Sequence, residues 1–257
     1  MITSKSNKWL KLIREVRRGK SQDFWLIEGF RATFEAIGRG LRPAAILADP
    51  DRISEEILGL LARQDPERLS LASGALLDEV ADQDSPRGLI ALFPRSRRER
   101  PALPPTAGLH LYADRIQDPR NLGALIRVGM AFGARSIFVS EGSCSANHPR
   151  VVRSSAGLAI CAPLYESQKI VSVLGHLEPL SPLVAALDAD GARPLHQMDF
   201  PPTVLLLIGT EGQGLDEDLL KVSTATLSIS MAAGVESLNL ATAAAVACYE
   251  FSRQRGL

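Results

Sequence analysis

Five apolar runs in the second half of the chain limit its fold more than any other feature. Their residues are apolar almost throughout instead of alternating with polar ones, as in parallel strands that are buried on both faces. Stretches with helical spacing fit between them, including 122–132 and a long C-terminal helix at 238–253. The pattern predicts a parallel sheet covered by helices on both faces, which is an α/β architecture. The runs are LHLYAD (109–114), SIFVS (136–140), LVAALDA (183–189), TVLLLIG (203–209) and ATLSISM (225–231).

The first part of the chain shows a second, shorter alternation of strands and helices. Its strand candidates are 24–29, 44–49, 68–73 and 88–93, and its helix candidates are 30–38, 53–62 and 74–80. The two parts are separated by FPRSRRERPALPP (93–105), whose prolines cannot continue a helix or a central strand. We therefore predict a small N-terminal α/β domain at 1–94, a linker at 95–107 and a larger α/β domain at 108–257.

Composition narrows the setting of the protein. No apolar run approaches the roughly 18 residues that a membrane-spanning helix needs. The N-terminus MITSKSNKWLKLIREV has no apolar core followed by a small-residue cleavage site, so no secretory signal is expected. Three scattered cysteines cannot build a disulfide framework. The sequence thus predicts a soluble protein of a reducing cytoplasm, with no membrane partner.

The net charge of zero hides two basic clusters. Between residues 5 and 20, seven cations stand against Glu15 alone, at close to a three-residue spacing that would form a broad basic band on a helix. The apolar side of that helix would be Trp9, Leu10, Ile13 and Val16. Four arginines between 95 and 100 form the second cluster. Local positive charge suits a polyanion, although a solvated helix face and a charged linker explain the clusters equally well.

A glycine-rich turn, TEGQG (210–214), follows the strand at 203–209. Ligands of open α/β sheets bind at the carboxyl ends of strands, so a cofactor is expected here, although such a turn is as often only a turn. The turn matches neither the dinucleotide fingerprint nor a P-loop. The chain also lacks a metal-binding Cys/His cluster and a hydrolase nucleophile elbow. Elimination leaves a nucleotide-like or adenosyl cofactor and no metal.

Three segments resemble, in order and spacing, the signature motifs of the SpoU (TrmH-like) RNA ribose methyltransferases. NHPRVVRSSAG (147–157) is also similar to that family, and residues 24–93 resemble the small substrate-binding domain that many members carry. Arg120, Ser230 and Ala233 depart from the family pattern of glycine, proline and glycine. The three motif segments are DPRNLGALIR (118–127) continuing into AFGARSIFVS, LLLIGTEGQGL (205–215) and ISMAAGVESLNLATAAAVACYEF (229–251).

The resemblance implies a fold and an activity. The larger domain would be an α/β trefoil-knot methyltransferase domain, in which S-adenosylmethionine lies bent among the knot loops. The smaller α/β domain would bind the RNA substrate. The activity would be methylation of a ribose 2'-hydroxyl in structured RNA, and the two-domain layout favours ribosomal RNA over transfer RNA. Members of the family are homodimers, so the same assembly is expected here.

The resemblance assigns catalysis to four residues, each of which also has a structural explanation. Arg127 would stabilise a developing alkoxide and hold a neighbouring phosphate, because a guanidinium keeps its proton above about pH 12 and is a poor base. The alternative is a solvated helix arginine. Asn121 and Asn239 also fit helix N-caps, and Glu211 fits an exposed turn carboxylate.

The resemblance also assigns cofactor contacts, and the spacing of the cations gives candidates for RNA binding. Ile229 and Leu238 would pack against the adenine, while glycines allow close backbone approach. The cofactor residues are Gly209, Gly212, Ile229, Met231, Ser237 and Leu238. The RNA-binding candidates are Lys8, Lys11, Arg14, Arg150 and Arg153; a salt-bridging role fits the last two equally.

Two other functions compete with the methyltransferase. An RNA-binding or antibiotic-resistance-type module that has lost catalysis is opposed by the intact catalytic set. A nucleotide-binding oxidoreductase lacks its fingerprint.

Overall fold

The computed structural model describes residues 1–81, 88–95, 105–210, 214–235 and 237–256. These residues form two compact units. The first unit takes in the described residues up to 95 together with 147–161, and the second takes in the remainder. The predicted linker at 95–107 falls mainly on 96–104, which lie outside the described residues, and the predicted domain limits stay predictions.

Helices and strands alternate along both units. The helices are α1 (Lys8–Arg17), α2 (Phe30–Gly38), α3 (Glu55–Gln64), α4 (Gly74–Asp78), α5 (Pro119–Ala131), α6 (Pro149–Ser154), α7 (Ile170–Leu177), α8 (Glu217–Val222) and α9 (Leu240–Gln254). The strands are β1 (Phe24–Glu28), β2 (Ala45–Ala48), β3 (Leu69–Leu71), β4 (Leu89–Pro94), β5 (Leu109–Ala113), β6 (Ser136–Ser140), β7 (Leu164–Gln168), β8 (Leu183–Leu187), β9 (Arg193–Pro194), β10 (Val204–Ile208) and β11 (Ala225–Ser228).

The first unit is built on a four-stranded sheet in the order β1-β4-β2-β3. Strand β4 is antiparallel to both of its neighbours, and β2 is parallel to β3. Helix α1 covers this sheet with the apolar side that its spacing predicts, because Leu10, Ile13 and Val16 are buried in one core cluster with Leu26 and Leu92. The N-terminal helix therefore belongs to the folded core of the unit.

The second unit contains a seven-stranded sheet in the order β7-β6-β5-β10-β8-β11-β9, and every pairing is parallel. The central strands β5 and β10 are buried at every residue, as their continuous apolar runs predict. The predicted α/β class with a parallel sheet is confirmed, and the knot stays a prediction. The sequence missed β7 and β9, which lie at the two edges and carry polar residues.

Helix α5 begins earlier than the pattern predicts. Asp118 is its N-cap, and the Asp118 carboxylate accepts a hydrogen bond of 2.8 Å from the backbone N–H of Arg120. The prediction that Asn121 caps this helix is therefore wrong. Pro119 explains the difference, because proline suits the first helical turn, where no backbone N–H is needed.

The packing of α5 on the sheet depends on Gly129. A Cβ atom at this position would lie 2.8 Å from Leu111 Cδ1 on β5 and 3.0 Å from Ile137 Cδ1 on β6. A larger residue at this position would have to displace these two side chains. Helix α5 also packs against α9.

His110 on β5 is a buried titratable group of the second unit. It is 1% exposed, its Nδ1 lies 3.1 Å from Ser136 Oγ, and its Nε2 lies 3.0 Å from the carbonyl oxygen of Thr106. Burial lowers the pKa of His110 from 6.5 to about 4. Folding therefore favours the neutral ring, and this contribution is complete above pH 6.5 and is lost as the pH falls toward 4.

We predict that His110 makes the fold sensitive to acid. Between pH 7 and about pH 4.5 the free energy of unfolding should fall by roughly 2 to 3 kcal/mol through this residue. His110→Gln keeps a polar group without a titration in that range, so its loss over the same interval should be smaller. Urea unfolding of both proteins at the two pH values measures the difference. Equal losses would show that His110 is not responsible.

Candidate functional site

The loops that follow β8, β10 and β11 surround a cavity of about 840 Å³ together with the start of α9. Parallel strands end at the same edge of a sheet, so the loops that follow neighbouring strands converge there. The volume is within the range of small-molecule and cofactor sites. The lining residues are Leu187, Asp188, Ala189, Asp190, Ile208, Gly209, Thr210, Gly214, Ile229, Met231, Ser237, Leu238, Asn239, Leu240 and Ala243.

Most of the cofactor residues that the motifs suggest lie on the wall of this cavity. The wall includes Gly209 from the second motif and Ile229, Met231, Ser237 and Leu238 from the third. Gly212 and the catalytic candidate Glu211 lie outside the described residues. The structure thus brings the second and third motifs together around one space.

Gly209 is required by the shape of the turn after β10. A Cβ atom there would lie 2.3 Å from the carbonyl oxygen of Gly214 and 2.6 Å from the backbone nitrogen of Leu215. The same turn is closed by reciprocal backbone hydrogen bonds of 3.1 Å between Thr210 and Gly214. The glycine therefore lets the chain fold back on itself at the edge of the cavity.

Asn121 and Asn239, which are 118 residues apart, form a hydrogen bond at this site. The side-chain oxygen of Asn239 caps α9 by accepting from the backbone N–H groups of Ala241 at 3.0 Å and Thr242 at 3.4 Å. Its amide nitrogen then donates to Asn121 Oδ1 at 3.1 Å. The capping bonds fix which way the Asn239 amide faces, because only its oxygen can accept. One side chain therefore starts α9 and ties it to α5.

Arg127 lies on α5, opposite the buried face formed by Leu122, Leu125 and Ile126. Its side chain is exposed, and its guanidinium forms no hydrogen bond or ion pair with any described residue. An arginine with free donors is available to an anionic ligand such as phosphate. The structure therefore places Arg127 on the helix that Asn121 joins to the start of α9.

The cations proposed for RNA binding differ in how much charge they present. Lys8 and Lys11 are exposed on α1, with the Lys8 ammonium 4.7 Å from the centre of the Trp9 ring. Arg14 is half-buried, donates to the carbonyl oxygen of Lys5 at 3.1 Å and lies 3.6 Å from the carboxylate of Glu79. Arg14 therefore contributes less free charge than the band pattern predicts.

Helix α6 carries the other two RNA candidates. Arg150 and Arg153 are both exposed and lie one turn apart, as expected.

Sequence reasoning missed two carboxylates in the cavity wall, Asp188 and Asp190. Both follow β8, and the backbone N–H of Asp190 donates to Asp188 Oδ1 at 2.8 Å. Gly191 allows this loop to lie against β11, since a Cβ atom there would be 2.5 Å from the carbonyl carbon of Leu227. The sequence did contain a signal for them, because both follow the carboxyl end of an apolar strand. The same rule, that ligands bind at the carboxyl ends of strands, had pointed to the glycine turn.

Two features are absent from the described residues. No helix among them is long and apolar enough to cross a membrane. No group of three or more His, Cys, Asp or Glu side chains among them is arranged to hold a metal ion. The cytoplasmic location stays a prediction.

Comparison with known proteins gives matches of two kinds. The model of the SpoU rRNA Methylase family matches residues 108–249. Among relatives, an uncharacterized tRNA/rRNA methyltransferase of Synechocystis sp. is 30% identical over 99% of this chain and 94% of its own length. A relative with the same description from Mycolicibacterium vanbaalenii is 28% identical over 93% of this chain and 79% of its own length.

Solved structures resemble the chain over almost its whole length. The SpoU methyltransferase AviRb from Streptomyces viridochromogenes, solved in complex with the cofactor AdoMet, has a TM-score of 0.86 and 26% identity, covering 97% of this chain and 98% of its own. An RNA 2'-O ribose methyltransferase has a TM-score of 0.83 and 29% identity, covering 100% and 99%.

Proposed function

The chain belongs to the SpoU family of RNA methyltransferases, and we propose that it transfers a methyl group from S-adenosylmethionine to a ribose 2'-hydroxyl of ribosomal RNA. The observation that carries this proposal is the cavity lined by residues of the second and third motifs. Asn239 in the cavity wall forms a hydrogen bond with Asn121 on α5, the helix of the first motif that also bears Arg127. The similarity to an RNA 2'-O ribose methyltransferase over the whole chain supports the ribose as the target.

The cavity has the chemistry that an adenosyl group needs. Adenine presents flat apolar faces and a polar edge, so its site must combine both kinds of wall. Ile208, Ile229 and Leu238 supply apolar surface, while Thr210 and Ser237 supply polar groups. These residues would hold the cofactor. When bound, S-adenosylmethionine supplies a methyl group that is activated by the positive sulfonium.

The side chains of this protein would position the hydroxyl and stabilise its developing negative charge. Arg127 keeps its proton at neutral pH, so its role is to donate hydrogen bonds to the alkoxide and to the adjacent phosphate. The bond between Asn239 and Asn121 holds the start of α9 against α5. It therefore fixes the position of α5, which carries Arg127, relative to the cavity wall.

Exposed cations on the first unit support an RNA substrate, and the matching family model, which is described as an rRNA Methylase, favours ribosomal RNA. Lys8 and Lys11 on α1 and Arg150 and Arg153 on α6 are exposed cations of the first unit. Such charges bind the phosphates of structured RNA without reading its sequence.

We predict that the purified chain methylates ribose 2'-hydroxyls of ribosomal RNA and that Arg127→Ala lowers kcat about 100-fold or more. The expected loss is that of removing one preorganised donor from a developing oxyanion. The affinity for S-adenosylmethionine should stay within about twofold, because Arg127 does not line the cavity. Methyl transfer to ribosomal and transfer RNA, followed by mapping of ribose methylation, measures both.

Arg135→Ala is the matched control. Arg135 is also an exposed arginine, but it precedes β6 and so lies at the amino edge of the sheet, opposite to the cavity. Its variant should keep wild-type turnover. Turnover of Arg127→Ala within a few-fold of wild type would exclude the assigned role. Methylation of a base, or of transfer RNA alone, would contradict the proposed target.

We predict that exposed cations of the first unit contribute RNA affinity. Deleting residues 1–20 is unsuitable as a test, because it removes three core side chains of α1. The double substitution Lys8→Glu and Lys11→Glu should instead raise the Kd for a ribosomal RNA fragment and lower the slope of log Kd against log salt by about 1 to 2. Arg63→Glu, at an exposed position of α3, is the control. If the slope of log Kd against log salt is unchanged, the cations of α1 form only a solvated helix face that does not contact RNA.

We also propose that the protein is a homodimer whose interface includes α9. Val246 and Tyr249 on this helix are 38% and 55% exposed, and α9 is rich in small side chains that allow close helix approach. Light scattering should give a dimer at micromolar concentration, and Val246→Glu combined with Tyr249→Glu should give a folded monomer. Val171→Glu, which changes a valine 75% exposed on α7, should stay dimeric. A monomeric wild-type protein would contradict the proposal.

A further inference from the structure

The described residues that line the cavity carry two carboxylates and no lysine, arginine or histidine. Both carboxylates, Asp188 and Asp190, belong to the loop after β8. The rest of the described wall is apolar or neutral. The cavity therefore has a negative side, and its ligand is expected to carry a compensating positive charge.

Asp188 is held in place by the sheet beside it. Its backbone N–H donates to the carbonyl oxygen of Leu227 at 3.0 Å, and its side-chain Oδ1 accepts from the backbone N–H of Asp190 at 2.8 Å. Oδ2 makes no hydrogen bond with a described residue, and it lies 4.0 Å from the position that a Cβ atom on Gly214 would take. The carboxylate thus lies between the loop after β8 and the loop after β10, with one oxygen available to a ligand.

The two aspartates differ in their exposure to water. Asp188 is half-buried, whereas Asp190 is exposed. Water and salt screen an exposed charge strongly, while a half-buried charge acts through a lower effective dielectric. Asp188 should therefore dominate the electrostatic effect of this wall on a bound ligand.

The methyl donor and its product differ by one charge. S-adenosylmethionine carries a positive sulfonium, and S-adenosylhomocysteine has a neutral thioether at the same place. Their adenosine and amino-acid groups are identical. A fixed negative charge near the ligand therefore stabilises the donor relative to the product, whereas a hydrogen bond to a shared group stabilises both alike.

We propose that Asp188 is a specificity-determining residue of the cavity, which favours the cationic methyl donor over the neutral product. This inference rests on the proposed function, since it takes S-adenosylmethionine as the ligand. Its consequence is a lower affinity for the product, which leaves the cavity open to the next donor molecule.

The test is calorimetric binding of three ligands to the full chain. The ligands are S-adenosylmethionine, S-adenosylhomocysteine and sinefungin, in which a carbon bearing an ammonium group replaces the methylsulfonium. Asp188→Asn keeps the shape and the oxygen that accepts from Asp190, and removes the charge. The Kd of the two cationic ligands should rise roughly five- to tenfold in this variant, while that of the neutral product stays within about twofold.

Asp199→Asn is the matched control, because it removes the same charge from an exposed position of the same unit that does not line the cavity. It should change all three Kd values by less than about twofold. Asp188→Glu retains the charge and should keep the preference for the donor. On the wild-type protein, rising salt should lower the ratio of donor to product affinity, and this measurement needs no substitution.

Two results would overturn the proposal. Equal weakening of donor and product by Asp188→Asn would mean that Asp188 binds a group common to both. Unchanged binding of all three ligands would mean that its charge does not act on the cavity. If the wild-type protein binds none of them, the proposed cofactor itself is wrong, which is a separate outcome.

Discussion

The parallel pairing of β5 with β10 at the centre of the larger sheet is the contact on which the site depends. Ala113 lies opposite Ile208, so the two strands end at the same level. Strand β5 leads toward α5, which bears Asn121 and Arg127, and β10 leads into the glycine turn. Because both strands are buried at every residue, the burial of their apolar side chains holds them at the centre of the sheet. Burial of apolar surface thereby fixes the positions of polar groups at the carboxyl edge.

The hydrogen bond between Asn239 and Asn121 adds the last helix to this arrangement. A helix N-cap contributes about 1 kcal/mol, and a second hydrogen bond contributes a similar amount. Asn239 makes both kinds of contact with one amide, so its structural and proposed catalytic roles are compatible. The cap orients the amide, and the orientation permits the bond to α5.

The first unit shows how packing alters a charge pattern. Helix α1 has the amphipathic face that its spacing predicts, yet Arg14 lies near Glu79 and Arg17 pairs with Glu28. Those two cations are partly neutralised within the unit, while Lys8 and Lys11 stay exposed. The positive charge that α1 can present to a polyanion is therefore smaller than its number of lysines and arginines suggests.

The sequence by itself determined the class of the fold, the central strands and the motif residues of the cavity. Long apolar runs must be buried, so they predict β5, β8 and β10 well, whereas the partly polar edge strand β7 was missed. Only the tertiary structure brought Asn121 and Asn239 into contact and placed Asp188 in the cavity wall. Local patterns report which residues are buried. The spatial order of the strands decides which distant loops meet and which carboxylate is shielded from water. No local pattern encodes that order.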